Sequence, residues 1–381
     1  MRHPVPAVCA VIAALAVLAS VPAAAQSTAD SAAFIIRLGT DTVAVERYVR
    51  TADRLVAEAV QRSPATTVHR IDMTLSQGAV TRTEWTVSRP GAREASMRRL
   101  ITFAGDSAAI ETTQAGSTRA QRVFAGGAIP VIMPFYSPYE LAIRRLGSAP
   151  SATVTMLGGA ATVDIPFARA GGDTVTLTNQ FGEPMRAAVD GAGNIVSLST
   201  PAFTTVERVG WVDLDAMVRD FANRDATGRG MGPLSPREAY RTQVGGANIW
   251  VDYSRPGARG RPIWGGLVPW GEVWRMGAND AAHLATDRRI RVGDVTLEPG
   301  TYTLFLQPAQ DRWTLIVNHE TGISGLARDP AHDVGSTALT VSDAPAHAEQ
   351  FTISVVDGQD GGRIEVRWAD RMGTAPVTVV P

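Results

Sequence analysis

From Phe34 to about Val209 the chain reads as short runs of alternating apolar and polar residues, separated by turn residues. Val68–Leu75 is followed by Ser76-Gln77-Gly78, then Val80–Val87, then Arg89-Pro90-Gly91. Later come Val154–Leu157, Thr162–Ile165, Thr174–Leu177, Met185–Val189 and Ile195–Leu198. The last two flank Asp190-Gly191-Ala192-Gly193, a hairpin turn by composition. A period of two interrupted by glycine-rich turns predicts consecutive antiparallel strands. Thr42–Arg62 carries mixed signals, since its Ala, Arg and Glu content favours helix. Val43, Val45 and Val49 lean it toward strands, broken at Thr51-Ala52-Asp53.

Two segments predict helices. In Ser137-Pro138-Tyr139-Glu140, the serine is placed to cap and the proline is preorganised for the first helical position. Leu141, Ile143 and Leu146 supply an apolar side, and Gly147 ends the segment. The second helix starts near Asp213, with Leu214, Met217, Val218 and Phe221 on one face. The apolar stretch Ile129–Tyr136 reads either as the lining of a concave sheet face or as ordinary core.

Asn223–Pro233 holds three glycines, a proline and no apolar periodicity, which predicts a linker. From Ser235 onward strands return: Asn248–Tyr253, Arg289–Val292, Thr301–Leu306, Trp313–Val317, Thr337–Val341, Phe351–Val356, Arg363–Trp368 and Pro376–Val380. The expected fold is mainly β, with two antiparallel β domains. The N-terminal one is a curved, half-barrel-like meander sheet with one or two helices; the C-terminal one is a β-sandwich or jelly-roll-like fold. The expected divisions are a signal peptide at 1–25, an N-terminal domain at 34–226, a linker at 227–234 and a C-terminal domain at 235–381.

The leader is read from Arg2 and His3, the apolar run Ala7–Val21, and the small residues Ala23 and Ala25, which predict cleavage after Ala25. The run is too short for a membrane span. The expected location is extracytoplasmic, periplasmic or secreted, with no transmembrane segment after cleavage. The single cysteine, Cys9, falls in the leader, so the mature chain is expected to hold no disulfide or thiolate chemistry.

With 381 residues, 45% of them hydrophobic, the chain can bury two cores. A net charge of −1 offers no bulk field for nucleic acid, and no nucleic-acid partner is expected. All 36 positive residues are arginine, which excludes Schiff-base lysines and a phosphate-loop lysine. There is no G-x-S-x-G elbow, no H-E-x-x-H helix and no calcium loop, and no cofactor or metal is expected. His69 sits in a strand pattern and reads as a surface or half-buried residue. His319, Glu320, His332 and Asp333 share a loop without zinc-type spacing, and His347 lies in the polar stretch Ala344–Gln350.

The most distinctive segment is Tyr253–His283. It holds three tryptophans, four arginines and six glycines. Tryptophan faces and arginine forks are suited to holding a sugar, a carboxylate or an aromatic ring. The same residues can equally brace a long loop internally.

These residues carry a resemblance. Ser235-Pro236, the run from Val251 to Asp280, Leu297–Pro308 and Trp313–Asn318 resemble the bacterial family called domain of unknown function 2911 (DUF2911), over roughly 235–381. The resemblance implies that Arg255, Arg261, Trp274, Arg275 and Asn279 are signature positions; it assigns them no role. The chain departs near Gly322–Asp333, where relatives carry Trp-Gly and this chain has Ile323-Ser324-Gly325. The N-terminal region matches no family on these grounds.

The expected function is that of a non-catalytic ligand-binding or interaction protein, with a small molecule, glycan or protein as its partner. The candidate ligand-binding residues are Arg255, Arg261, Trp270, Trp274, Arg275, Asn279, Asp280 and His283. One alternative is an extracytoplasmic hydrolase using Asp280 and His283 or the His319, His332 and Asp333 loop. Another is a scaffold in which the second domain docks on the first.

Overall fold

The computed structural model describes residues 29–359 and 361–381. The expected leader lies outside them. The first sheet is built from β1 (Asp30–Leu38), β2 (Asp41–Arg50), β3 (Arg54–Gln61), β4 (Thr67–Ser76), β5 (Ala79–Ser88), β6 (Met97–Ala104), β7 (Ser107–Gln114), β8 (Ser117–Phe124) and β9 (Ile129–Val131). After helix α1 (Ser137–Leu146) it continues with β10 (Ser151–Gly158), β11 (Ala161–Arg169), β12 (Thr174–Thr178), β13 (Pro184–Val189), β14 (Ile195–Ser199) and β15 (Thr204–Val209). The spatial order is β8-β7-β6-β5-β4-β3-β2-β1-β15-β14-β13-β12-β11-β10-β9, an open sheet with edges at β8 and β9.

Neighbouring strands are antiparallel with one exception: β9 and β10 are parallel. The reason is the helix between them, which returns the chain to the same end of the sheet before the next strand begins. Strand alternation drives one face inward, with Phe34, Tyr48, Ile71, Phe167 and Met185 in a common core. The Ile129–Tyr136 stretch and α1 fill this concave face. Helix α2 (Leu214–Ala226) packs on the opposite face, with Leu214 and Phe221 against Val45 and Val60. Asp213 caps it, accepting from the Ala216 amide at 2.9 Å.

The cap of α1 is not Ser137. Ser137 is the first helical residue, and Tyr136 precedes it without a side-chain cap bond. The free amides of Tyr136 and Ser137 donate instead to the Glu46 carboxylate on β2, at 2.7 and 3.2 Å. A distant strand thus supplies the acceptor that a helix start needs. Burial pushes the Glu46 carboxyl up to about 7. On α1 itself, buried Glu140 accepts from Arg50 at 2.7 Å, Arg208 at 2.9 Å, the Tyr48 hydroxyl at 2.7 Å and the Ile195 amide at 2.8 Å. A buried carboxylate with all its partners present fixes the helix against β2, β14 and β15.

The second sheet comprises β16 (Arg237–Val244), β17 (Ala247–Ser254), β18 (Ala282–Thr286), β19 (Ile290–Val292), β20 (Val295–Leu297), β21 (Gly300–Pro308), β22 (Trp313–Asn318), β23 (Asp333–Val356) and β24 (Gly362–Val379). Its order is β16-β17-β18-β21-β22-β23-β24-β19-β20. Four strands expected from sequence are two long ones, β23 and β24. Register shifts near Asp343, Ala348 and Thr352 bend the pair where the polar stretch predicts a break. The first part of β23 pairs with β22 and the rest with β24, so the strand turns the corner of a sandwich. Tyr240 on β16 reaches across the sandwich, bonding the Ile353 carbonyl and the Val355 amide.

The two sheets touch through backbone. Thr40, in the β1–β2 turn, donates its amide to the Arg259 carbonyl at 2.9 Å. Arg259 pairs with Asp41, and Arg261 donates to the Ala202 carbonyl at 3.2 Å.

Candidate functional site

The loop Arg255–Ala281 connects β17 to β18 and lies against both sheets. Two of its three tryptophans, Trp264 and Trp274, belong to a shared aromatic cluster. Trp264 packs on Trp313 with ring centres 4.1 Å apart, and Trp274 stacks on Trp368 at 5.5 Å and meets Phe351 edge-on at 4.8 Å. The Trp264 indole donates to the Trp368 carbonyl at 3.0 Å. Gly265 adopts φ +79°, and a Cβ there would strike the Trp270 indole, so the glycine is the seat of that ring. Much of the loop is therefore internal bracing.

A cleft of about 810 Å³ opens between this loop and the first sheet. The loop contributes Arg261, Glu272, Trp274, Arg275 and Asn279, among others; the first sheet contributes Leu38, Ser63 and Ala202. Pro233 and Leu234 of the connecting segment and Gly325 and Leu326 of the β22–β23 loop complete it.

The candidate residues divide into three groups. Arg255 is committed elsewhere: it pairs with Glu238 and donates to the Phe351 carbonyl at 3.3 Å and Thr352 at 3.2 Å. Arg261 is spent on the carbonyls of Gly257, Ala258 and Ala202, although it also lines the cleft. Trp270 stays exposed beside Gly265 and does not line the cleft.

Trp274, Arg275 and Asn279 do line it. Arg275 is half-buried, and its stem rests on Gly325, where any side chain would collide with it. Its guanidinium has no ion pair or hydrogen bond within the described residues, and its buried Nε is left without an acceptor. Burial lowers its basicity, but a guanidinium remains charged at neutral pH. Asn279 holds φ +62° and accepts the Gly325 amide on its carbonyl at 3.4 Å.

Asp280 and His283 point elsewhere. Asp280 is exposed and bridges to Ser324 through backbone. His283, on β18, sits in a separate depression of about 300 Å³ with Trp250, Asp252, Thr301 and Thr321. Its Nε2 accepts the Gly322 amide at 3.2 Å, and its Nδ1 lies 3.3 Å from Arg237. Burial and the neighbouring arginine lower its basicity. The sequence-predicted constellation is thus split between two pockets.

The remaining histidines are placed as follows. His69 is buried, not at the surface, stacked on Trp85 at 6.1 Å, and its burial lowers its pKa to about 4. His319 packs on Tyr302 at 5.3 Å, and His332 lies 3.5 Å from Glu320 and 3.4 Å from Asp329. Asp333 pairs with Arg328. Among the described residues no group of three or more His, Cys, Asp or Glu side chains is arranged to hold a metal ion.

Sequence reasoning missed Leu38, Ser63, Ala202 and Leu234, which carry no local signal because they enter the cleft only through the docking of the sheets. Gly325 was noted only as part of the departure at Ile323-Ser324-Gly325, and its contact with Arg275 comes from the fold of the second sheet.

Residues 235–377 match the family model described as "Protein of unknown function (DUF2911)". No curated protein matches the chain significantly. Among solved structures it is similar to the vaccine antigen transferrin binding protein B, as a mutant, from Haemophilus parasuis Hp5, with 9% identity and a TM-score of 0.13. That match covers 88% of this chain and 66% of the other, just under two thirds of its length. Intact Ap-TbpB, with N and C lobes, is matched at 10% identity and a TM-score of 0.12, over 88% of this chain and 67% of the other. Likeness this slight carries no argument. No helix among the described residues is long and apolar enough to cross a membrane.

Proposed function

We propose that this chain is an exported, non-catalytic binding protein that holds an anionic small molecule in the cleft between its two sheets. The observation that carries the reading is Arg275, a half-buried cation lining a cleft of about 810 Å³, whose guanidinium makes no ion pair or hydrogen bond among the described residues. A guanidinium left without an acceptor in a partly dry wall is stabilised by a carboxylate or phosphate that forks onto it. Trp274 and Trp368 supply an aromatic wall beside it, and the remaining lining is mostly apolar. Export rests on the leader-like run before Gln26.

The test is a fluorescence titration of the full chain with butyrate, benzoate and inorganic phosphate. Trp274 and Trp368 report from the cleft wall. Saturable quenching by at least one anion is expected, and Arg275→Gln should weaken it tenfold or more. Anion binding of equal strength in that variant would overturn the reading.

A further inference from the structure

A second cavity of about 290 Å³ lies in the mouth of the first sheet, between its concave face and the segment leading into α1. Its walls are largely apolar, with Ile36, Val43, Met133, Tyr136 and Met185 among them. Leu38, Ser63 and Leu234 line both cavities, so the two adjoin across a shared rim. Met133 and Phe181, at its edge, are exposed by 45% and 83%, an unusual placement for large apolar side chains. Charge is distributed the other way. Arg261, Arg275 and Glu272 lie on the cleft side, and of the two arginines only Arg275 has no partner among the described residues. The inner cavity contains one carboxylate, Glu183, which accepts from Asn179 at 3.0 Å.

From this arrangement we infer that the ligand is a single-chain anionic amphiphile. Its head group sits on Arg275 in the cleft, and its hydrocarbon tail passes Leu38 and Leu234 into the mouth of the first sheet. This rests on the cleft reading above and adds the tail site. Leu234, in the connecting segment, forms part of the passage, so the connection between the sheets is itself a wall of the site.

The test is calorimetric titration of the full chain with butyrate, hexanoate, octanoate and decanoate, each below its critical micelle concentration, with decanol as the uncharged control. Affinity is expected to rise by about fourfold per added methylene until the cavity is full. Thr204→Trp, at a position lining only the inner cavity, should flatten this dependence while leaving butyrate unchanged. Gln61→Trp is a second blocking variant should the first fail to fold. Arg275→Gln should weaken decanoate at least tenfold and leave decanol alone. Equal affinity for butyrate and decanoate would overturn the tail site and leave the anion site standing. A length dependence intact in both blocking variants would also overturn it. Decanoate bound equally by Arg275→Gln would overturn the cleft reading itself.

Discussion

A Cβ built on Gly39 would stand 2.0 Å from the carbonyl oxygen of Arg259. The two sheets meet there with backbone against backbone. Gly39 also holds φ +59°, a conformation that side chains disfavour. Gly39→Val is therefore expected to cost about 1–2 kcal/mol from conformation alone, and to push the sheets apart. Scanning calorimetry should show the docking weakened, as a lower first transition or two resolved ones where the parent shows fewer. An unchanged melting profile would mean that the interface does not couple the sheets.

Trp274 lies at the junction of brace and cleft. It stacks on Trp368 and abuts Phe351 and Trp264, so truncation removes packing as well as any contact with a ligand. Trp274→Ala is expected to cost about 3 kcal/mol or more by denaturant melting. Arg275→Gln, which breaks no ion pair, should stay within about 0.5 kcal/mol of the parent. A stable Trp274→Ala would show that the aromatic cluster does not hold the loop.

Glu46 makes stability depend on pH. Its folded value is raised to about 7 from an ordinary 4.5 because it is buried. Between those values the folded chain retains a proton that the unfolded chain has released. Its contribution is thus most favourable below about pH 4.5 and declines as pH rises to 7, by on the order of 3 kcal/mol. Glu46→Gln should abolish this part of the slope in urea melts between pH 5 and 8. Parallel slopes for the two proteins would show that Glu46 does not titrate in this window.

His283 faces a different depression from Arg275. His283→Ala is expected to leave anion binding within twofold of the parent, read in the same titration that reports on Arg275. A tenfold loss would place the histidine in communication with the cleft.

The strand alternation of Val68–Leu75 and Val80–Val87, the break at Thr51-Ala52-Asp53 and the start of the second helix near Asp213 were all legible. Each follows from spacing and turn chemistry within a few residues. The cap of α1 was not, because Glu46 comes from a strand far away in sequence and a local reading favours Ser137. The β23–β24 ribbon was misjudged for a related reason. Ala344–Gln350 reads as a loop by polarity, but cross-strand pairing carries it through as a bend.

What the residues determined by themselves is therefore the mainly β class, the two-sheet plan and the presence of an unusual Trp-Arg-Gly loop, since periodicity and turn residues act locally. Only the tertiary structure decided what that loop's members do. Arg255 and Arg261 look like Arg275 in sequence, but other strands bring Glu238 and the Phe351 carbonyl to Arg255, and the loop's own Gly257 and Ala258 carbonyls with Ala202 of the first sheet occupy Arg261. The third is left facing a cleft whose far wall, Leu38 to Ala202, exists only once the sheets dock. Whether an arginine is a brace or a binding group depends on which acceptors the fold brings within reach.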